Sequence, residues 1–314
     1  MPEVLVISVV VPVYNEQEVL PAFFDRLRPV LGALNEEYEV VVVDDGSTDD
    51  THAIADDRAR GWPQLRCLRL RRNMGHQAAL TAGLDAAVGD WVLTIDADLQ
   101  DPPELIPELL GAALRGQADV VYATRSDRKT DSRFKRWSAH VYYRLMAGMT
   151  ETELTRHAGD FRLMSRRVVD DLNGLPERHR VYRLLVPYLG YESTTVSYER
   201  NRRAAGESKY PLGKMIRLAL DSATSFSASP LRLATWLGML GSLVSVLLGA
   251  VAVIAWASGA TVPGWTSVMV SVFFVGAIQL LSLGLLGEYV GRIYSELQRR
   301  PRYFLTEDPS EHDD

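Results

Sequence analysis

The first 125 residues alternate short, continuous apolar runs with stretches of helical periodicity. "VISVVVPV" (6–13), "YEVVVVDD" (38–45), "LRCLRL" (65–70), "DWVLTID" (90–96) and "ADVVYATR" (118–125) read as strands, being short, rich in β-branched residues and bounded by turn formers. Helices are predicted between them: one ending near Leu34, and one in "STDDTHAIADDRAR", with Ser47 or Thr48 as N-cap and acids in its first turn. "GHQAALTAGLDAAV" gives a third, and "PPELIPELLGAALR" a fourth, with proline where a helix start tolerates it. Strands that are apolar throughout are buried on both faces. The pattern therefore predicts an α/β fold with a mostly parallel sheet and helices on both faces. Ligands of such sheets bind beyond the carboxyl ends of the strands. The acidic pairs Asp44/Asp45 and Asp96/Asp98 both fall there, so they can share one crevice.

The second half follows another pattern. From Leu233 to Gly287 there is no Asp, Glu, Lys, Arg or His. A membrane-spanning helix needs about 20 apolar residues, and this tract accommodates two, at about 232–257 and 266–288, divided by "SGATVPGW". Arg202, Arg203, Lys209, Lys214, Arg217 and Arg232 precede the first span, and Arg292, Arg299, Arg300 and Arg302 follow the second. The uncharged loop then lies outside and both flanks inside. The expected organisation is a cytoplasmic domain over 1–212, a juxtamembrane amphipathic region over 213–231, two spans within 232–290, and a cytoplasmic tail over 291–314. This makes a multi-pass protein of the cell membrane, with the lipid bilayer as a partner. Ile216, Leu220, Ala223 and Phe226 share one helical face, suited to the membrane interface or to a core. The N-terminus reads as a first strand, not a signal peptide.

Composition adds two exclusions. A net charge of −6 argues against nucleic-acid binding. The single cysteine, Cys67, excludes an internal disulfide and fits a reducing compartment. His76, His140, His157 and His179 have no metal-ligand spacing and read as ordinary polar or packing residues.

Neither common glycine-rich phosphate loop is present, so phosphate would be held by a metal or by basic side chains. "LTIDADLQDPPE" (93–104) places Asp96, Asp98 and Asp101 directly behind an apolar strand. Close carboxylates repel one another, and a cation between them would relieve this. Asp96 and Asp98 project the same way from an extended segment. With Gln100 they offer an all-oxygen site for Mg²⁺ or Mn²⁺, of the kind completed by substrate phosphates.

"VVVPVYNE", "VVDDGSTDDT", "NMGHQAALTAGLDAAVGD" and "IDADLQDPPE" together resemble the family 2 glycosyltransferases, which have the GT-A fold. "AGDFRLMSRRVVDDL", "RNRRAAGESKYPLGK" and the two C-terminal spans resemble the polyisoprenyl-phosphate glycosyltransferase subfamily within it. The resemblance implies a metal-dependent, inverting transfer of a sugar from a nucleotide-sugar donor to a polyprenyl phosphate, and a homo-oligomer. Carried onto this chain, it implies that Pro12, Tyr14 and Glu16 line the nucleoside pocket, with Asp44 near the base and Asp45 beside it. Gly75 would let the backbone approach the donor, and Asp96 and Ala97 would face the ribose or sugar. Asp98 and Gln100 would hold the metal, with Asp96 close by. Arg125 would meet phosphate or sugar.

Asp160 matches the family's catalytic aspartate. An acceptor phosphate is already anionic near neutral pH, so Asp160 serves either as a base or as an anchor for a sugar hydroxyl or an arginine. Arg200, Arg203 and Lys209 would meet the donor diphosphate or the acceptor phosphate, or form a basic patch facing anionic headgroups. The motifs favour UDP-glucose as donor. GDP-mannose, UDP-aminoarabinose and UDP-N-acetyl sugars stay open, as does a non-catalytic membrane scaffold. A processive synthase is disfavoured, because "FKRW" (134–137) lacks the Gln of the Q-x-x-R-W motif.

Overall fold

The computed structural model describes residues 5–125, 158–177, 180–198 and 264–306, together with individual helical residues between 235 and 258. The chain divides into two compact units, one of which holds the N-terminal domain together with residues 300–306.

In that unit the order is β1 (Val6–Val13), α1 (Leu20–Gly32), β2 (Glu37–Asp44), α2 (Thr51–Arg60), β3 (Leu65–Arg69), α3 (His76–Ala86) and β4 (Trp91–Thr94). A 3₁₀ turn (Pro103–Leu105) leads into α4 (Ile106–Gly116) and β5 (Val120–Arg125). After the undescribed residues come β6 (Ala158–Ser165), α5 (Arg166–Gly174), α6 (Tyr182–Tyr188) and β7 (Ser193–Tyr198). The sheet runs β3-β2-β1-β4-β6-β5-β7. All neighbouring pairs are parallel except those of β6, which runs antiparallel to both β4 and β5.

The valine-rich runs become the central strands because both of their faces are covered. Val9, Val11, Val40 and Val42 point into one core with Phe23, Phe24, Leu27 and Leu31 of α1 and Leu109, Leu110 and Ala113 of α4. Trp62 closes this core, edge-on to Phe24, with its Nε1–H donated to Tyr38 Oη at 3.1 Å. On the opposite face α3 lies close to the sheet. A Cβ at Gly83 would stand 2.2 Å from Val10 Cγ1, so only glycine permits that approach.

Two local expectations are corrected, and one strand was not expected. The cap of α2 is not Ser47 or Thr48: the helix starts at Thr51 after Asp50, and Asp49 Oδ1 accepts the Thr51 N–H (3.1 Å) and hydroxyl (2.6 Å). The fourth strand ends at Thr94, ahead of the acids. The "AGDFRLMS" segment forms a strand inserted between β4 and β5.

The second unit contains α7 (Trp265–Leu297). Among the described residues, one helical segment is long and apolar enough to cross a membrane, Phe274–Leu297. It extends past the expected limit at 288. Its large apolar side chains, Leu280, Leu283, Leu286 and Ile293 among them, are exposed. Such a helix is stable in hydrocarbon, where every backbone group is satisfied within the helix.

Candidate active site

The chain runs outward from β1 through β2 to β3, then returns to place β4 on the other side of β1. The carboxyl ends of β1 and β4 therefore form a topological switch point, where a crevice opens in sheets of this kind. Pro12, Tyr14 and Glu16 lie at the end of β1 and just beyond it. Pro12 is buried in the strand opposite Val43, two residues past the last β1–β4 pair, so no β4 carbonyl is paired with its missing N–H. Tyr14 is 42% exposed, which leaves one aromatic face open.

The loops after β1 and β2 are laced together. Asn15, with φ of +52°, donates its N–H to Ser47 Oγ (3.0 Å), and its Oδ1 accepts the Thr48 N–H (2.9 Å). The Glu16 N–H goes to Thr51 Oγ1 (2.8 Å).

Asp44 and Asp45 are both buried, and Asp44 Oδ2 has no hydrogen-bond partner among the described residues. Asp44 Oδ1 caps the Ser47 N–H at 2.9 Å, and its Oδ2 lies 3.4 Å from Arg69 Nε. Asp45 accepts the N–H groups of Met74 (2.7 Å) and Gly75 (2.9 Å). It thereby fixes the loop that starts α3. Burial raises the Asp45 pKa, against the lowering effect of these two N–H groups. Gly46 makes the close approach possible. Its φ is +68°, and a Cβ there would stand 2.5 Å from the Arg72 carbonyl carbon. Gly46→Ala is expected to lose about 1–3 kcal/mol from backbone strain alone, with the clash in addition. A thermal midpoint equal to wild type would contradict this packing.

The acids after β4 meet β6 and α3. Asp96 Oδ1 is 3.9 Å from His76 Nε2, and that nitrogen is 3.7 Å from Asp160 Oδ2. Burial pushes the Asp96 carboxyl up to about 6. His76 opposes the rise, and the Asp160, Asp101 and Asp98 charges add to it. Asp98 Oδ1 accepts the Gln100 N–H at 3.0 Å across Leu99, whose φ of +59° makes the tight turn. Ala97 and Gln100 are buried.

Asp160 is held by two arginines. Arg162 Nη2 lies 2.6 Å from its Oδ1, and Arg183 Nη2 lies 3.5 Å from its Oδ2. Burial opposes ionisation of Asp160, but His76, Arg162 and Arg183 outweigh it and hold the carboxyl well below the usual carboxylate range. Arg162 is itself 1% exposed, and its Nη1 donates to the Tyr182 carbonyl at 3.0 Å. The Tyr182 hydroxyl reaches Thr81 Oγ1 (2.9 Å), so β6, α6 and α3 share one polar network.

The structure brings Asp96, Asp98 and Asp160 together, leaves Asp101 near enough for its charge to act on Asp96, and adds His76, Arg162 and Arg183. The Asp101 carboxylate accepts the Tyr198 hydroxyl at the end of β7. His76, expected to be an ordinary polar residue, stands between two carboxylates. Arg162 and Arg183 were not singled out by sequence. The only signal for Arg162 was a charge inside an otherwise apolar stretch. Arg125 is the last residue of β5. Arg200, Arg203 and Lys209 lie outside the described residues.

A divalent cation fits the donor set at 96–100. Asp96 and Asp98 offer hard oxygen ligands; burial chiefly, with the Asp160, Asp101 and Asp98 charges adding to it, raises Asp96, and the His76 contact is too long for a hydrogen bond.

The mixed sheet with an acid cluster at its switch point is the arrangement expected of a GT-A fold. The chain belongs to glycosyl transferase family 2, whose model matches residues 8–172, and a GtrB C-terminal hairpin model matches residues 229–293. The protein is a glycosyltransferase. It is 43% identical over 299 residues to an uncharacterised glycosyltransferase of Bacillus subtilis (strain 168), covering 95% of this chain and 92% of that one. It is also 43% identical over 300 residues to the SfII prophage-derived bactoprenol glucosyl transferase of Shigella flexneri, covering 95% and 97%. A prophage bactoprenol glucosyl transferase homolog of Escherichia coli (strain K12) is 41% identical over 95% of this chain and 98% of its own. A solved mycobacterial protein matches 71% of this chain and 75% of its own with a TM-score of 0.50 at 23% identity, a likeness of fold alone.

Proposed function

We propose that this enzyme transfers glucose from UDP-glucose to a polyprenyl phosphate, with inversion, giving a polyprenyl-monophosphate glucose at the cytoplasmic face of the membrane. The observation that carries the reading is the Asp96–Asp98 pair beside Asp160 at the switch point. It occurs in a chain similar over nearly its whole length to proteins named bactoprenol glucosyl transferase.

Tyr14 offers a stacking face for the base, above a loop pair fixed by Asn15 and Asp45. Asp96 and Asp98, with Gln100, would hold Mg²⁺ or Mn²⁺, which supplies charge neutralisation for a departing nucleoside diphosphate. The acceptor phosphate oxygen attacks the anomeric carbon as the bond to the diphosphate breaks. Asp160 is already paired and strongly acidic, so it suits anchoring better than proton abstraction. It holds Arg162 and leaves the half-exposed Arg183 facing the crevice, where a guanidinium can meet an oxyanion. Arg200, Arg203 and Lys209 supply further phosphate contacts in this reading.

In this reading the tail at 300–306, which lies in the same compact unit as the N-terminal domain, is on the same side of the membrane as that domain. That favours an even number of spans, and the flanking basic residues favour the cytoplasmic side.

The test is a transfer assay with detergent-solubilised protein, undecaprenyl phosphate and Mg²⁺ or Mn²⁺. Labelled UDP-glucose, GDP-mannose and UDP-N-acetylglucosamine are offered in parallel. Label entering lipid from UDP-glucose, and its loss on chelation, is expected. Label from another donor overturns the sugar assignment, and none from any donor overturns the reaction.

A further inference from the structure

β3 is an edge strand, and an open edge is a row of unpaired backbone groups. The chain covers its exit with residues that follow α7. Leu305 pairs antiparallel with Leu70. The Thr306 N–H goes to the Arg69 carbonyl at 2.8 Å, and the Arg71 N–H to the Phe304 carbonyl at 2.9 Å. Arg71 Nε also donates to the Leu305 carbonyl at 2.9 Å. Two side chains anchor the segment from its other end. Arg302 Nη2 donates to the Leu175 carbonyl after α5 (2.5 Å), and the Tyr303 hydroxyl to Asp85 Oδ2 in the last turn of α3 (3.0 Å).

The place of docking matters more than the cover. Residues 70–75 lead from β3 to His76, and their far side is already gripped. Asp45 holds the Met74 and Gly75 N–H groups, Gly46 packs on Arg72 and Asn73, and Arg69 reaches Asp44 and the Ser47 carbonyl (3.3 Å). The C-terminal segment holds the same loop where it starts. It also holds α3, which carries His76 at its other end. Each N–H or hydroxyl named has a specific acceptor, so the segment is bound in one register.

We propose that residues 302–306 form a positioning strap that sets the 70–75 loop, and with it Gly75 and His76, on the donor side of the site. The proposal rests on the functional reading above for the identity of the donor. None of these residues touches the reacting atoms in this scheme. Their effect passes through the loop to donor binding, and the lipid substrate is not involved.

The experiment uses the full chain in detergent. Thr306→Pro removes the N–H donated to Arg69, and Tyr303→Phe removes only the hydroxyl on Asp85. Initial rates are measured against UDP-glucose and against undecaprenyl phosphate, with thermal midpoints and hydrogen exchange of the 70–76 amides alongside. Thr306→Pro is expected to raise KM for UDP-glucose about fivefold, the equivalent of one net hydrogen bond. KM for the lipid and kcat should stay within about twofold, while protection of the Met74 and Gly75 amides falls. Tyr303→Phe should move the same quantities less far in the same direction, and it stands as the test if the proline variant does not fold. Unchanged donor KM in a folded variant overturns the proposal. So does a lower thermal midpoint and lower kcat with both KM values unchanged, which is the signature of a cover only. Amide protection needs no substrate. A wild-type protein that fails to glucosylate lipid therefore overturns the functional reading, and the strap then stands or falls on protection of residues 70–76.

Discussion

Asp98→Ala is expected to abolish glucosyl transfer, with kcat lower by a factor of about 1,000 or more, while the protein stays folded. This one side chain has two roles. Asp98 Oδ1 accepts the Gln100 N–H and supports the turn through Leu99. Losing that bond costs about 1 kcal/mol, too little to unfold the domain. The second role is charge. A metal-held diphosphate needs anionic ligands, and alanine removes one carboxylate of the Asp96/Asp98 pair. Asp98→Asn distinguishes the roles, because its amide oxygen keeps the turn but carries no charge. Transfer and metal affinity should fail in both variants, with thermal midpoints close to wild type in Asp98→Asn. An asparagine variant with near-normal turnover would remove Asp98 from the metal site and leave it as a turn residue.

Arg162→Leu is expected to be the most destabilising single change in the site, at about 3–5 kcal/mol. Arg162 is almost wholly buried, and it pairs with Asp160 and donates to the Tyr182 carbonyl. Its removal leaves the mostly buried Asp160 with only the half-exposed Arg183 and His76 beside it, and takes the Arg162 donor from the Tyr182 carbonyl. The double variant Arg162→Leu/Asp160→Leu should recover part of the loss, because the stranded charge goes too. The pH dependence carries the same signature. The Asp160 carboxyl lies below its ordinary range in the folded protein. Its share of stability is therefore fully present above about pH 4 and is lost as pH falls through the depressed value. In Arg162→Leu that share shrinks, and the acid limb of the stability curve becomes shallower. Equal thermal midpoints for wild type and Arg162→Leu would mean that the pair contributes nothing net.

How much of this was legible depended on how local the cause was. The strand at 6–13 is observed residue for residue, because a run of valines bounded by a turn is a local signal. α3 falls within two residues of its predicted limits for the same reason, and α4 ends one residue past its predicted limit but starts four residues later, after the 3₁₀ turn at Pro103–Leu105. β6 was not legible. Its charged Arg162 is neutralised by Asp160 within the strand and hydrogen-bonded to a carbonyl from α6, and its antiparallel place between β4 and β5 is a long-range pairing. Asp101 looked like a third member of the acid cluster, yet its partner Tyr198 lies 97 residues further on. His76 carried no spacing signal, since its two carboxylates come from the loop after β4 and from β6.

The sequence by itself determined the α/β class, the family, the acid pair after the fourth strand and the apolar segment. All of these are written in local periodicity, composition or short motifs. Only the tertiary structure decided which charges meet: His76 with Asp96 and Asp160, Arg162 and Arg183 on Asp160, Tyr198 on Asp101, and Leu305 against Leu70. The physical reason is range. Strand and helix preferences act over a few residues, whereas a hydrogen bond or ion pair forms wherever the sheet order brings two groups within about 3–4 Å.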